Sequence, residues 1–159
     1  MVILGIDPGT RITGYGVIEK VNSSLKLITY GEIKIGRDGV LSECLKTIYS
    51  RLLEIIEGYS PSVISLEDIF YGKNVKSLIK QGHARGAIIL LAAHNDIPVY
   101  EYSPLEVKKA VVGYGRAEKS QVQYMVKSMF KLSDVPPPDA SDALAIAVCH
   151  SNFLKVVAL

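Results

Sequence analysis

Tryptophan is absent from this 159-residue chain, phenylalanine occurs three times and cysteine only twice. Two cysteines, Cys44 and Cys149, are too few for a disulfide scaffold. With no pattern of zinc ligands around them they read as buried thiols in a reducing compartment. His83, His94 and His150 show no metal-ligand spacing. Long apolar runs are also missing: the longest, Ala87 to Ala93, is far shorter than the roughly 20 residues that span a bilayer. No charged-then-apolar leader opens the sequence. The expectation is a soluble, cytoplasmic protein with no membrane association. There is no internal repeat and no low-complexity tract, and the length suits one domain, residues 1–159, able to bury roughly two thirds of its unfolded surface.

Charge is nearly balanced overall, at +2, but unevenly spread. Residues 1–70 carry seven Lys or Arg against nine acids, residues 71–131 ten against four, and residues 132–159 one against three. A basic middle segment between two acidic ones attracts polyanions, although a charged face that only keeps the protein in solution gives the same tally.

The stretch Val2-Ile3-Leu4-Gly5-Ile6-Asp7-Pro8-Gly9-Thr10 reads as a central strand buried on both sides and ended by a Pro-Gly turn. Gly14 to Lys20 and Lys26 to Ile35 follow as strands joined by the turn-rich Val21-Asn22-Ser23-Ser24, making an antiparallel meander with the first. Helical spacing of Leu41, Leu45, Ile48, Leu52, Ile55 and Ile56, stopped by Gly58 and Pro61, predicts a helix over Leu41 to Glu57. Val63 to Leu66 is a short strand, Val75 to His94 a helix, and Pro98 to Tyr102 a strand. Helices are predicted over Pro104 to Val112, Ala117 to Phe130 and, after the Pro136-Pro137-Pro138 break, Ala140 to Leu154. This order predicts an α/β fold: a mixed five-stranded sheet with helices on both faces, its first and fourth strands parallel and adjacent.

Asp7 stands at the edge of that core, where an ionised carboxylate costs several kcal/mol unless it is paired or metal-bound. An Asx turn with Gly9 is the plainer role for it. Asp7 and Glu67 end two adjacent parallel strands, where ligands of such sheets bind. Asp139 and Asp142, three apart, share one face at the start of the last helix, a place where acids are also favoured by the helix dipole. Taken together, four converging carboxylates repel unless cations neutralise them, and oxygen ligands of this kind suit Mg²⁺ or Mn²⁺. Asp68 is set aside because a strand turns it to the opposite face.

Gly113 to Ser120, GYGRAEKS, mimics a phosphate loop but places Glu118 where that motif needs glycine. Lys108 and Lys119 flank it and reach toward an anion held over the carboxylates, although solvated lysines are the ordinary case. Phe70 and Tyr71 follow the Glu67 strand directly, where an aromatic ring stacks on a nucleobase for roughly 1 to 3 kcal/mol.

Five phrases together carry a resemblance: GIDPGT at Gly5 to Thr10, ISLEDIF at Ile64 to Phe70, QGHARG at Gln81 to Gly86, VVGYGRAEKSQVQ at Val111 to Gln123 and DASDALAIA at Asp139 to Ala147. In this order, over nearly the whole chain, they resemble the RuvC family of bacterial Holliday junction resolvases. The first phrase alone also opens the nucleotide-binding lobe of actin-like and heat-shock ATPases, but that site needs two lobes and this chain is too short for them. A junction-binding module without catalysis is the third reading, disfavoured because clustered acids weaken DNA binding unless a metal offsets them.

The resemblance implies a ribonuclease H-like fold, a homodimer, Mg²⁺-dependent cutting of four-way junction DNA and association with the RuvA and RuvB branch-migration proteins. By position it implies Asp7, Glu67, Asp139 and Asp142 as catalytic metal ligands for two ions per subunit, with Lys108 and Lys119 as assisting lysines. Phe70 becomes the aromatic near the crossover, and Tyr71, Lys73, Lys76, Arg85 and Arg116 join it as candidate DNA contacts. Two cuts need two sites, so the Val75 to His94 helix is a candidate two-fold interface. Gly82 and Gly86 lie on one of its faces with Leu78, Ile79, Ile89 and Ala93. Helical glycines cost about 0.5 to 1 kcal/mol each against alanine, and close approach of another backbone, a partner's or the protein's own sheet, accounts for them.

Overall fold

A computed structural model describes residues 1–35, 40–69 and 74–153. Its strands are β1 (Val2–Asp7), β2 (Ile12–Val21), β3 (Ser24–Lys34), β4 (Val63–Glu67) and β5 (Val99–Tyr102). Its helices are α1 (Leu41–Tyr59), α2 (Val75–His94), α3 (Pro104–Val112), α4 (Lys119–Met129) and α5 (Pro138–Phe153). The strands form one mixed sheet in the order β3-β2-β1-β4-β5. β2 pairs antiparallel with β1 and β3, while β4 runs parallel to β1 and β5. This is the predicted topology, with boundaries shifted by a residue or two. The β2–β3 hairpin is tighter than predicted: Val21 pairs with Ser24, and Asn22 takes the left-handed φ of 54° that lets two residues close the turn.

Alternation along the strands divides the core in two. Leu4, Ile6, Ile64 and Leu66 face α1 and α2, packing with Ile48, Leu52, Ile88 and Leu91. Ile3, Ile18 and Val63 face α3, α4 and α5. Residues 5 and 7 of β1 and 65 and 67 of β4 therefore share the α5 face.

α5 is buried almost all round, from Ala140 through Ser151 with only Asp142 partly open, which explains why its sequence has no polar stripe. Three strand glycines make room for it. A Cβ on Gly5 would lie 2.1 Å from the Ala143 carbonyl oxygen, one on Gly14 would lie 1.9 Å from that of Asp139, and one on Gly16 would press into Leu144. Gly5 pairs with Gly16 and Asp7 with Gly14, so the three glycines form a continuous notch beside Asp7. Both cysteines are buried, as expected, and desolvation pushes the Cys149 thiol up to about 12, leaving it unreactive. No helix among the described residues is long and apolar enough to cross a membrane.

Candidate active site

Ile6 pairs with Leu66, so the next residues, Asp7 and Glu67, end neighbouring parallel strands and point to the same face. α5 begins above them. Pro138 stands at its first position, suited to the fixed proline φ, and Asp139 and Asp142 follow one turn apart. The glycine notch sets how low the first turn of α5 can sit, because the Asp139 backbone rests directly on Gly14. All four acids are half-buried.

Their proximity appears in their electrostatics. Burial is the largest cause raising the Asp7 carboxyl to about 8, and the charges of Glu67, Asp142 and Asp139 add to it. Glu67 is also held above its ordinary value, by burial first and then by Asp142, with Lys119, Lys108 and Arg85 opposing. Lys119 donates to Asp142 Oδ2 at 2.8 Å, and this bond holds its ammonium above the usual lysine value. α4 presents that lysine at its first position, behind Glu118 at the N-cap, whose amide donates to Gln121 Oε1 at 2.8 Å, so the residue that breaks the phosphate-loop pattern stands at a helix start. Lys108, on α3, is half-buried and close enough to Glu67 to act on its charge.

The structure thus brings together Asp7, Glu67, Asp139, Asp142, Lys108 and Lys119. Among the described residues no three His, Cys, Asp or Glu side chains close around a point as a finished metal cage would. Carboxylates without a cation between them repel, and Lys119 already occupies Asp142. The donor set itself suits a hard divalent ion: carboxylate oxygens only, partly desolvated, with a surplus of negative charge that one exposed lysine does not balance.

The other expected contacts divide. Lys76 and Arg116 are exposed. Phe70, Tyr71 and Lys73 lie outside the described residues. Arg85 is turned inward: it is only 7% exposed, and its guanidinium donates to the Glu67 carbonyl and to Glu101 Oε1, with Asp68 at 3.9 Å. A buried guanidinium needs acceptors, and the ends of β4 and β5 supply them. Asp68, set aside from the sequence, lies just past β4, where it caps the Ile69 amide and faces Arg85.

Sequence reading missed a groove of about 690 Å³ that runs from Asp139 past Thr10 and Arg11 to Ser77 and Lys80. Arg11 and Lys80 are exposed and make no ion pair among the described residues. They sit 69 positions apart in sequence, so no local pattern joins them.

A β3-β2-β1-β4-β5 sheet carrying clustered acids at the ends of its central parallel strands is the arrangement of the ribonuclease H-like class. The family described as crossover junction endodeoxyribonuclease RuvC matches residues 3–150. A protein of that name from Desulforamulus reducens is 49% identical over 154 residues, covering 96% of this chain and 94% of the relative. Another from Syntrophotalea carbinolica is 51% identical over 152 residues, with 96% and 94% covered. Among solved structures, Thermus thermophilus RuvC in complex with a Holliday junction substrate superposes with a TM-score of 0.93 at 32% identity, covering 99% of this chain and 96% of that one. The chain belongs to the RuvC family, whose nuclease activity implies a divalent metal ion.

Proposed function

We infer that this chain is an endodeoxyribonuclease that resolves Holliday junctions by metal-dependent hydrolysis of phosphodiester bonds. The observation that carries the reading is the Asp7, Glu67, Asp139 and Asp142 cluster at the sheet edge, in a chain that aligns end to end with junction endonucleases.

In this reading the four acids hold two Mg²⁺ ions, for which Mn²⁺ substitutes. The chemistry such ions supply is activation of a water and stabilisation of the leaving 3′ oxygen. The chain's own groups do the rest. Asp7 and Glu67, fixed by rigid strand ends, set the floor of the site, and Asp139 and Asp142 close it from α5. Neutralising this cluster frees Lys119 from Asp142, so its ammonium turns to the scissile phosphate, with Lys108 beside it. Arg11 and Lys80 line the groove that leads away from Asp139 and suit a sugar-phosphate backbone. Lys76, Arg116, Lys73, Tyr71 and Phe70 add outer DNA contacts, Phe70 by stacking at the crossover.

The active form is a homodimer paired through α2, which cuts two strands symmetrically. Supporting this, a Cβ on Gly86 meets nothing within 4 Å and one on Gly82 meets only Ile69 at 3.9 Å, so these glycines do not accommodate the protein's own sheet. Ile79, Ile89 and Leu90 are exposed on the same helix. RuvA and RuvB are the partners that deliver the junction. Incubating the chain with a synthetic four-way junction and with a linear duplex, each in Mg²⁺ or in EDTA, tests the reading: cutting is expected only of the junction and only in Mg²⁺. Equal cutting of the duplex, or cutting in EDTA, refutes it.

A further inference from the structure

We propose that Arg85 is a positioning residue for Glu67: from the opposite face of the sheet it fixes the last peptide of β4 and thereby the direction in which Glu67 presents its carboxylate. The inference rests on Glu67 being a metal ligand. Glu67 is the last residue of β4, and β1 pairs with β4 only as far as Leu66. The ladder to β5 continues through the Asp68 amide, which donates to the Tyr102 carbonyl. The Glu67 carbonyl takes its bond from the Arg85 guanidinium, a side chain that stands in for the missing strand. That bond sets ψ of Glu67, one torsion from the Cα that carries the carboxylate.

The anchor is rigid for three reasons. Ala84, Ile88, Leu91 and Ala92 bury the surrounding turns of α2 against the sheet. A second guanidinium nitrogen binds Glu101, which pairs with Leu66 and so faces α2. The guanidinium is planar, so fixing it on Glu101 fixes the direction of its other N–H groups. Arg85 is buried whereas Glu101 and Asp68 are more open, so the charge is held by acceptors at the rim. Because Glu67 points its carboxylate to the α5 face and Arg85 enters from the α2 face, Arg85 touches no reacting atom.

Calorimetric titration of the metal-free chain with Mn²⁺, alongside junction-cleavage kinetics, tests the proposal. Arg85→Gln is expected to weaken Mn²⁺ binding about 10- to 100-fold, the range for residues that orient a ligand. It should lower kcat at subsaturating metal and leave KM for the junction unchanged. Arg85→Lys, which keeps charge but not the fork, falls between, and Glu101→Gln has a smaller effect of the same kind. Leu52→Ala, a core truncation in α1, separates lost fold from lost positioning: it lowers thermal stability while metal affinity stays within twofold. Should Arg85→Gln not fold, Arg85→Lys and Glu101→Gln decide, since both must weaken Mn²⁺ binding. Wild-type Mn²⁺ affinity in the Arg85 variants overturns the proposal, as does a rise in KM with a shallower salt dependence, the mark of a DNA contact. If the wild-type chain itself neither binds Mn²⁺ nor cuts junctions, the nuclease reading fails first, and the positioning role with it.

Discussion

Replacing Gly14 by alanine puts a methyl carbon 1.9 Å from the carbonyl oxygen of Asp139 and 2.3 Å from its carbonyl carbon. A carbon and an oxygen not bonded to each other rest at about 3.3 Å, so the first turn of α5 must retreat by roughly 1.4 Å, or β2 must bend away from it. Backbone cannot give way as a flexible side chain does, so the cost lies at the upper end of overpacking, about 1 to 3 kcal/mol. Alanine restricts the unfolded chain and returns about 0.4 to 1 kcal/mol of that. That leaves about 2 to 2.6 kcal/mol, and at about 2 to 4 °C per kcal/mol for a chain of this size melting falls by roughly 4 to 10 °C. Activity should fall further than stability, because the displaced turn carries Asp139, and a 1 Å misplacement at a reacting centre costs on the order of 10²-fold in rate. Scanning calorimetry and junction cleavage at saturating Mg²⁺ measure the two effects. Gly58→Ala is the control: its Cβ meets nothing within 4 Å and it lies in helix α1, so it should stabilise slightly. A Gly14→Ala variant that melts within 1 °C of the wild type and cuts at the normal rate refutes the notch as the support of the site.

Asp7→Asn should abolish cleavage and keep junction binding by gel shift, and it should raise the melting temperature of the metal-free chain at neutral pH, since an amide need not take up the proton that folding forces on a carboxyl raised to about 8; near-normal cutting in Mg²⁺ counts against the metal site. Gly86→Leu should give a folded monomer by light scattering that binds metal but nicks once or not at all, because its side chain projects into open space within the chain but into the proposed partner. His150 is buried, bonds Tyr102 Oη at 2.7 Å, and is held below its ordinary value by burial and by Lys20. The unfolded chain therefore takes up the proton first: stability is full above about pH 6.5 and falls below it by up to about 1.4 kcal/mol per pH unit. Asp7 and Glu67, raised in the fold, impose the opposite slope over the same range, so the test is the difference between the wild type and His150→Gln: the wild type should lose stability relative to the variant as pH falls below 6.5 in urea titrations from pH 5 to 8. Ser65 Oγ is buried and has no hydrogen-bond partner among the described residues, so Ser65→Ala should be neutral or stabilising by about 1 kcal/mol in chemical denaturation, and a destabilisation of more than about 1 kcal/mol would refute this.

Much of this architecture is legible in the sequence because each strand and helix carries its own period. Val63 to Leu66 is apolar but for Ser65 because β4 is covered on both faces, and the α1 stripe at Cys44, Ile48, Leu52 and Ile56 is a one-sided helix. Asp7 and Glu67 are legible for the same reason, as polar residues that end two buried strands. The glycine notch is not. A glycine in a strand reads as a weakness or a bulge, and Gly5, Gly14 and Gly16 acquire their purpose only when α5 is laid across them. The face of α5 that meets the sheet is hidden too, because a helix buried all round has no polar side to orient it. The internal partners of Arg85 are hidden for a further reason. Its acceptors, Glu67 and Glu101, lie 18 and 16 residues away on two strands, and an arginine in a basic segment is ordinarily solvated.

Three cations act on Glu67, and the burial of two of them, Arg85 and Lys119, separates their tasks. The Arg85 side chain is 8% exposed and holds two acceptors at once, so withdrawing it would strand a desolvated charge and an unpaired carbonyl together. Breaking such an arrangement costs several kcal/mol, which makes Arg85 a fixture of the fold in every state of the reaction. Lys119 is 74% exposed and makes one bond, to Asp142. An exposed ion pair of that kind contributes at most about 1 kcal/mol, so in the proposed reaction Lys119 yields its place readily to a divalent ion at the same carboxylate. The ammonium that leaves Asp142 stays tethered at the first turn of α4, beside the carboxylates and facing solvent. A phosphodiester arriving there meets a mobile cation already in position, while Glu67 is held from behind by one that does not move.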